Sequence, residues 1–147
     1  MGDDNCKGVK LDKNYFINKI VNKLNIEKIE SNVEYKYFIE DFNFKLMYLL
    51  QHKKEKLGIH IIHQFTSGTS GQKALAYFLN KFQQTHFPVL LIFIEDRIKC
   101  GPRASFEAVN MVITNKYGCY IDYNNDEKKI RMGEDILIEK IRYLLKI

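Results

Sequence analysis

The hydroxyl-rich run Thr66-Ser67-Gly68-Thr69-Ser70-Gly71-Gln72-Lys73 is the stretch of this chain best equipped for chemistry. Small polar side chains, two glycines and a lysine stand where a helical pattern begins. The first turn of a helix leaves backbone N–H groups unpaired, and these favour an anion. Thr66, Ser67, Thr69, Ser70 and Lys73 are therefore candidate phosphate contacts; the plain alternative is a helix-entry turn with an N-cap. The spacing of Gly68, Gly71 and Lys73 is not that of a Walker A loop. Just upstream stand His60, His63 and Gln64. Histidines three positions apart on a strand point to opposite faces, so a regular strand cannot aim both at one ion. Downstream, Arg97, Lys99 and Arg103 follow the buried-strand pattern Val89–Ile94, at the end where open sheets bind ligands. Glu40 and Asp41 are candidate metal ligands, and otherwise simple turn residues. Lys53, Lys54 and Lys56 read as a solvated turn.

These side chains need a frame. The pattern predicts a strand over Ile59–Phe65 and a helix over Gln72–Gln84, with Leu75, Phe78, Leu79 and Phe82 on one stripe. Val89–Ile94, continuously apolar, then reads as a strand covered on both faces. A strand–helix–strand crossover requires a parallel or mixed sheet. Upstream, Asp12 is a plausible N-cap for a helix carrying Phe16, Ile17, Ile20, Val21 and Leu24, which ends near Asn25 with Glu27–Ile29 as a last turn. Ser31-Asn32 breaks the pattern. Strands are expected at Val33–Ile39 and Phe44–Leu50, the second with Phe44, Leu46, Tyr48 and Leu50 on one face. Downstream, a helix is expected over Ala104–Asn115, with Gly118 as its stop. A short strand follows at Tyr120–Tyr123, then a charged loop over Asn124–Gly133. A final helix, Glu134–Lys146, turns Leu137, Ile141, Leu144 and Leu145 inward. The expected fold class is α/β (α+β): a mixed central sheet of about five strands flanked by helices, in the order α-β-β-β-α-β-α-β-α. Residues 1–10 read as a flexible tail and 11–147 as one domain.

The 147 residues suit one core and not two. A net charge of +5 is compatible with a polyanionic partner. Cys6, Cys100 and Cys119 are far apart and form no CxxC pair, which argues against a zinc ribbon or a disulfide framework and for a reducing cytoplasm. The polar start MGDDNCKG has no apolar signal region, and position 6 is Cys where a myristoylation signal needs Ser or Thr. No apolar run reaches membrane-spanning length.

The run Phe65–Lys73 resembles the phosphate-binding loop of adenylate-forming enzymes, although that fold needs a chain several times longer. A wider resemblance covers about Gly58–Asp96. In many restriction-endonuclease-like nucleases of the PD-(D/E)XK class, a helix precedes a meander. The third strand carries an acid-x-Lys pair, often followed by Gln. A turn of the type S-G-T-x-x-x-K then opens a helix, and a buried strand follows. His63-Gln64-Phe65-Thr66-Ser67-Gly68-Thr69, Lys73 and Val89–Ile94 look like that segment; elsewhere the likeness is topological.

The resemblance implies Mg²⁺-dependent hydrolysis of DNA, with carboxylates on adjacent strands holding the metal. It assigns catalytic roles to Asp41, His60, Gln64 and Lys73, and metal ligation to Glu40 and Asp41. It assigns DNA contact to Thr66, Ser67, Thr69, Ser70, Lys73, Arg97, Lys99 and Arg103. The acid-x-Lys positions themselves hold His60 and Ile62, so the metal site is degraded or relocated. The alternatives are an inactive nuclease-like subunit that binds DNA or a protein partner, and an unrelated interaction domain. DNA, a second copy of the chain or a partner subunit are the partners this reading expects.

Overall fold

The computed structural model describes residues 12–36, 43–64, 87–95 and 106–147. Helix α1 (Lys13–Leu24) begins where the sequence places it: Asp12 is the N-cap, and its side chain accepts a hydrogen bond from the Tyr15 N–H at 3.1 Å. Phe16, Ile17, Ile20 and Leu24 are buried. Asn25 ends the helix in the left-handed conformation, φ 53°.

Beyond Asn25 the outcome differs from the sequence expectation. Glu27–Ile29 is not a last helical turn but the start of strand β1 (Glu27–Lys36). Ser31-Asn32 lies inside that strand. The reason is pairing. β1 runs antiparallel to β2 (Asn43–His52) from Glu27 opposite Gln51 to Lys36 opposite Asn43. A bulge between Lys28 and Glu30 absorbs the irregularity. Continuous ladder bonds outweigh weak local strand preference.

β2 turns into β3 (Glu55–Gln64) through Lys53 and Lys54, with His52 opposite Glu55. Lys53 takes φ 55° at that turn. Leu46, Tyr48 and Leu50 do not share a face as expected: Leu46 packs with Leu49 in one layer, Tyr48 and Leu50 in the other. The β2–β3 ladder explains it. Pairing extends only as far as Tyr48 opposite Ile59, and the Ile61 N–H goes to Met47 Sδ at 3.4 Å. Past that point the two strands no longer keep a common register.

Strand β4 (Val89–Glu95) is parallel to β3, and β5 (Gly118–Asp122) is parallel to β4. All seven residues of β4 are buried: the unbroken apolar run Val89–Ile94 predicts this for six, and Glu95 is the seventh. Gly118, expected to stop a helix, opens β5. Helix α2 (Phe106–Thr114) ends sooner, and Thr114 Oγ1 donates back to the Asn110 carbonyl at 2.8 Å. The final helix, α3 (Glu127–Leu145), starts about two turns earlier than expected. Asp126 caps it by accepting from the Lys129 N–H at 2.9 Å. A capped, charged first turn carries no apolar stripe and so has no helical signature in the sequence. Residues 37–39 of the expected second element, the expected helix Gln72–Gln84 and Ala104–Ser105 lie outside the described residues.

Among the described residues the sheet is mixed and five-stranded, in the order β1-β2-β3-β4-β5. On one face, Phe16, Ile17, Ile20 and Leu24 of α1 and Leu137, Ile141, Leu144 and Leu145 of α3 meet Leu57, Ile59, Ile61, Leu90, Ile92 and Ile94. On the other, Val112 of α2 joins Leu46, Leu49, Ile62, Val89, Leu91 and Phe93. This is an α/β architecture with helices against both faces. Among the described residues no helix is long and apolar enough to cross a membrane.

Candidate functional site

Strands β3, β4 and β5 are parallel and finish together, so their last residues form one row: Gln64 opposite Glu95, and Glu95 opposite Asp122. One step back lie His63, Ile94 and Ile121; two steps back, Ile62, Phe93 and Tyr120. Side chains alternate between faces along a strand. Glu95 therefore shares the face of Phe93, and Asp122 that of Tyr120. Neighbouring strands are about 4.8 Å apart. Two carboxylate residues thus stand side by side on one face at the carboxyl end of the parallel strands.

Glu95 is completely buried. The Tyr120 hydroxyl donates a hydrogen bond to Glu95 Oε2. The Tyr120 ring is itself set by Phe93, with centroids 5.7 Å apart and planes at 57°. The backbone holds the same corner: the Tyr123 N–H donates to the Glu95 carbonyl at 2.8 Å. Asp122 Oδ1 accepts from the Asn124 N–H at 2.9 Å, an Asx turn that begins the path to α3. The Asn124 side-chain amide is enclosed, and neither its oxygen nor its nitrogen has a partner among the described residues. A buried amide without a partner costs about 1–3 kcal/mol, so a polar group from a water or ligand would relieve it. Tyr123 Oη donates to Glu134 Oε2 at 3.2 Å, tying this corner to α3.

Carboxylate oxygens on adjacent strands suit a hard divalent cation. Among the described residues no group of three or more His, Cys, Asp or Glu is placed to hold a metal. Glu95 and Asp122 would supply two ligands. Strand β2, antiparallel to β3, enters the sheet at this same end with Asn43.

Of the residues singled out in the sequence, His60 is on β3 opposite Leu91 and almost fully buried, at 7% exposure. Ile62, two positions on, is also core. His63 is half-buried and belongs to the opposite face from His60. Gln64 ends β3 beside Glu95. Glu40, Asp41, Thr66, Ser67, Thr69, Ser70, Lys73, Arg97, Lys99 and Arg103 lie outside the described residues.

Sequence reasoning missed Glu95, Tyr120 and Asp122. A usable signal was present. Glu95 directly follows the apolar run Val89–Ile94, and Asp122 ends the next strand of the parallel set. The carboxyl ends of such strands are where open sheets bind ligands.

No family model and no curated protein matches the chain. Among solved structures it is similar to a protein of unknown function, AF1548, at 12% identity and a TM-score of 0.50, covering 90% of this chain and 77% of that one. That likeness is one of fold.

Proposed function

We propose that this chain is a nucleic-acid-acting domain of the restriction-endonuclease-like kind, which hydrolyses DNA phosphodiester bonds with Mg²⁺ at the carboxyl ends of β3, β4 and β5. The observation that carries this reading is the row Gln64–Glu95–Asp122, two carboxylates on neighbouring parallel strands. A helix, a meander and a buried parallel strand surround it in the order the resemblance implies. In this reading Glu95 and Asp122 are metal ligands, and Tyr120 positions Glu95. The bound metal would supply an activated water and stabilise charge on the scissile phosphate. Asp41 and Glu40, which precede β2, are the further ligands expected from the sequence. Lys73 and the hydroxyls of Thr66, Ser67, Thr69 and Ser70 are the expected phosphate contacts, with Arg97, Lys99 and Arg103 on the approaching DNA. The cytoplasm is the compartment this reading favours.

A second reading has its own support. His60 and Ile62 occupy the acid-x-Lys positions of the third strand, and both are core. That favours a nuclease-like subunit that holds DNA without cutting it. Plasmid incubated with the chain and Mg²⁺ or Mn²⁺, with and without EDTA, separates the two. Nicking that EDTA abolishes is the expected result. Duplex binding without nicking under either metal selects the second reading, and neither binding nor nicking removes both.

A further inference from the structure

Helix α1 turns an acid-free polar face to solvent. Its twelve residues include Lys13, Lys19 and Lys23 and neither Asp nor Glu. Asn14, Asn18 and Asn22 form one outward ridge at four-residue spacing; Tyr15, Lys19 and Lys23 form the ridge beside it. All six are exposed. Tyr15 is 66% exposed, and the Lys19 ammonium sits 5.6 Å from its ring centroid. Strand β1 adds a further cation: Lys28 Nζ donates to Asn18 Oδ1 at 3.3 Å and lies 5.7 Å from the Tyr48 ring. The Tyr48 hydroxyl donates to Asn14 Oδ1 at 2.7 Å, which fixes the first ridge.

Among the described residues, helix α3 has a different surface. On α3, Lys128, Lys129 and Arg131 alternate with Glu127, Glu134, Asp135 and Glu139. Such a face attracts no particular charge. Apart from the Asp12 cap at its start, the α1 face offers only cations and neutral polar groups over about 18 Å, the length of twelve residues.

We infer that the outward face of α1, extended by Lys28, is a docking surface for the phosphate backbone of duplex DNA. Ammonium groups neutralise phosphates, amides both donate and accept, and an exposed ring packs on sugar or base. An anionic membrane fits less well. An interfacial helix must offer an apolar face, and the apolar residues of α1 are committed to the core. The inference rests on the reading of the chain as DNA-acting and adds the surface that positions the duplex, separate from the strand ends where hydrolysis is placed.

The test is fluorescence anisotropy of a labelled duplex of about 20 base pairs with the full chain, from about 50 to 300 mM salt, the range over which phosphate contacts are lost. The variant is Lys19→Ala/Lys23→Ala. The control is Lys128→Ala/Lys129→Ala, the same loss of charge on α3. All four lysines are exposed, so both variants fold. The α1 variant should bind about tenfold more weakly at about 100 mM salt. Its slope of log affinity against log salt should be about two shallower, one for each lost phosphate contact. The control should match the wild type. Equal losses in both variants, or none in the α1 variant, overturn the inference. So does binding to phosphatidylserine vesicles through Lys19 and Lys23 without duplex binding. Wild-type chain that nicks plasmid while the α1 variant binds and nicks equally well leaves the proposed function standing and removes this surface alone.

Discussion

A carboxyl group with no exposure, directly after an unbroken apolar run, is costly unless it is hydrogen-bonded. For Glu95 the partners include the Tyr120 hydroxyl. Tyr120→Phe removes the donor and leaves the acid in place. It should lower stability by about 1–3 kcal/mol in urea unfolding, the scale for taking a partner from a buried polar group; an unchanged midpoint would mean the contact is idle. Cys119 gives a prediction in pH. Burial pushes its thiol up to about 11, against smaller lowering effects from Lys140 and the Tyr120 backbone. The folded chain thus keeps the proton more tightly than the unfolded chain. The stability from this group is complete below about pH 9 and is lost as pH rises toward 11. Tyr48, raised by burial and then by Asp12, adds a loss in the same direction. The Cys119 share, on the order of 2 kcal/mol, should disappear from the alkaline slope in Cys119→Ala. The Cys119 thiol, read as the difference from Cys119→Ala since Cys6 and Cys100 are also present, should resist Ellman's reagent in the folded protein at about pH 8, below the range in which it ionises. At this scale the sequence is legible only in part. Asp41 and Glu40 stand out as an acidic pair in a polar setting. Glu95 and Asp122 do not, because each closes a hydrophobic strand, and only the parallel register of three strands makes them neighbours.

Elements are held by close approaches that periodicity does not display. A Cβ at Gly58 would lie 2.8 Å from Leu46 Cδ1 and 3.0 Å from Val89 Cγ2, inside the second core layer. Gly58→Ala should therefore destabilise by about 1–3 kcal/mol through overpacking. Gly133 lies within α3, and a Cβ there meets nothing nearer than 3.6 Å. Gly133→Ala should stabilise by about 0.5–1 kcal/mol, because alanine loses less backbone entropy in a helix. Thermal melts of the two variants should move in opposite directions; shifts of the same sign contradict this account of the packing. Lys140 of α3 donates to the Asn115 and Gly118 carbonyls, and so pins the turn between α2 and β5. Hairpin and helix identities are legible because Val, Ile, Leu and Phe recur at the right periods. The starts of β1 and α3 are not. The first is set by the pairing of Glu27 with Gln51 on another strand, and the second by the Asp126 cap on a turn with no apolar stripe.

On the scale of the molecule, the three parallel strands bring to one edge residues that are 27 and 31 positions apart in sequence, Asp122 from Glu95 and Glu95 from Gln64. The crossover between Ile59 and Ile94 is legible, since two apolar strands joined through a helical pattern admit a parallel pairing, and β3 and β4 are parallel. The completion of the row by β5 is not, because a five-residue strand carries too little pattern to reveal its partner. The α1 face belongs to this scale as well. Its lysines and asparagines read in the sequence as the solvated side of an amphipathic helix, and only the contacts from Lys28 and Tyr48 join them into one patch. Hydrolysis at this site depends most on the carboxylate row. The most direct measurement is single-turnover cleavage of supercoiled plasmid with Mg²⁺ by the wild type and by Asp122→Asn, at matched melting temperatures. Loss of charge at a metal ligand should slow nicking by about 100-fold or more while the fold melts as before. An Asp122→Asn chain that nicks at the wild-type rate contradicts the placement of the site.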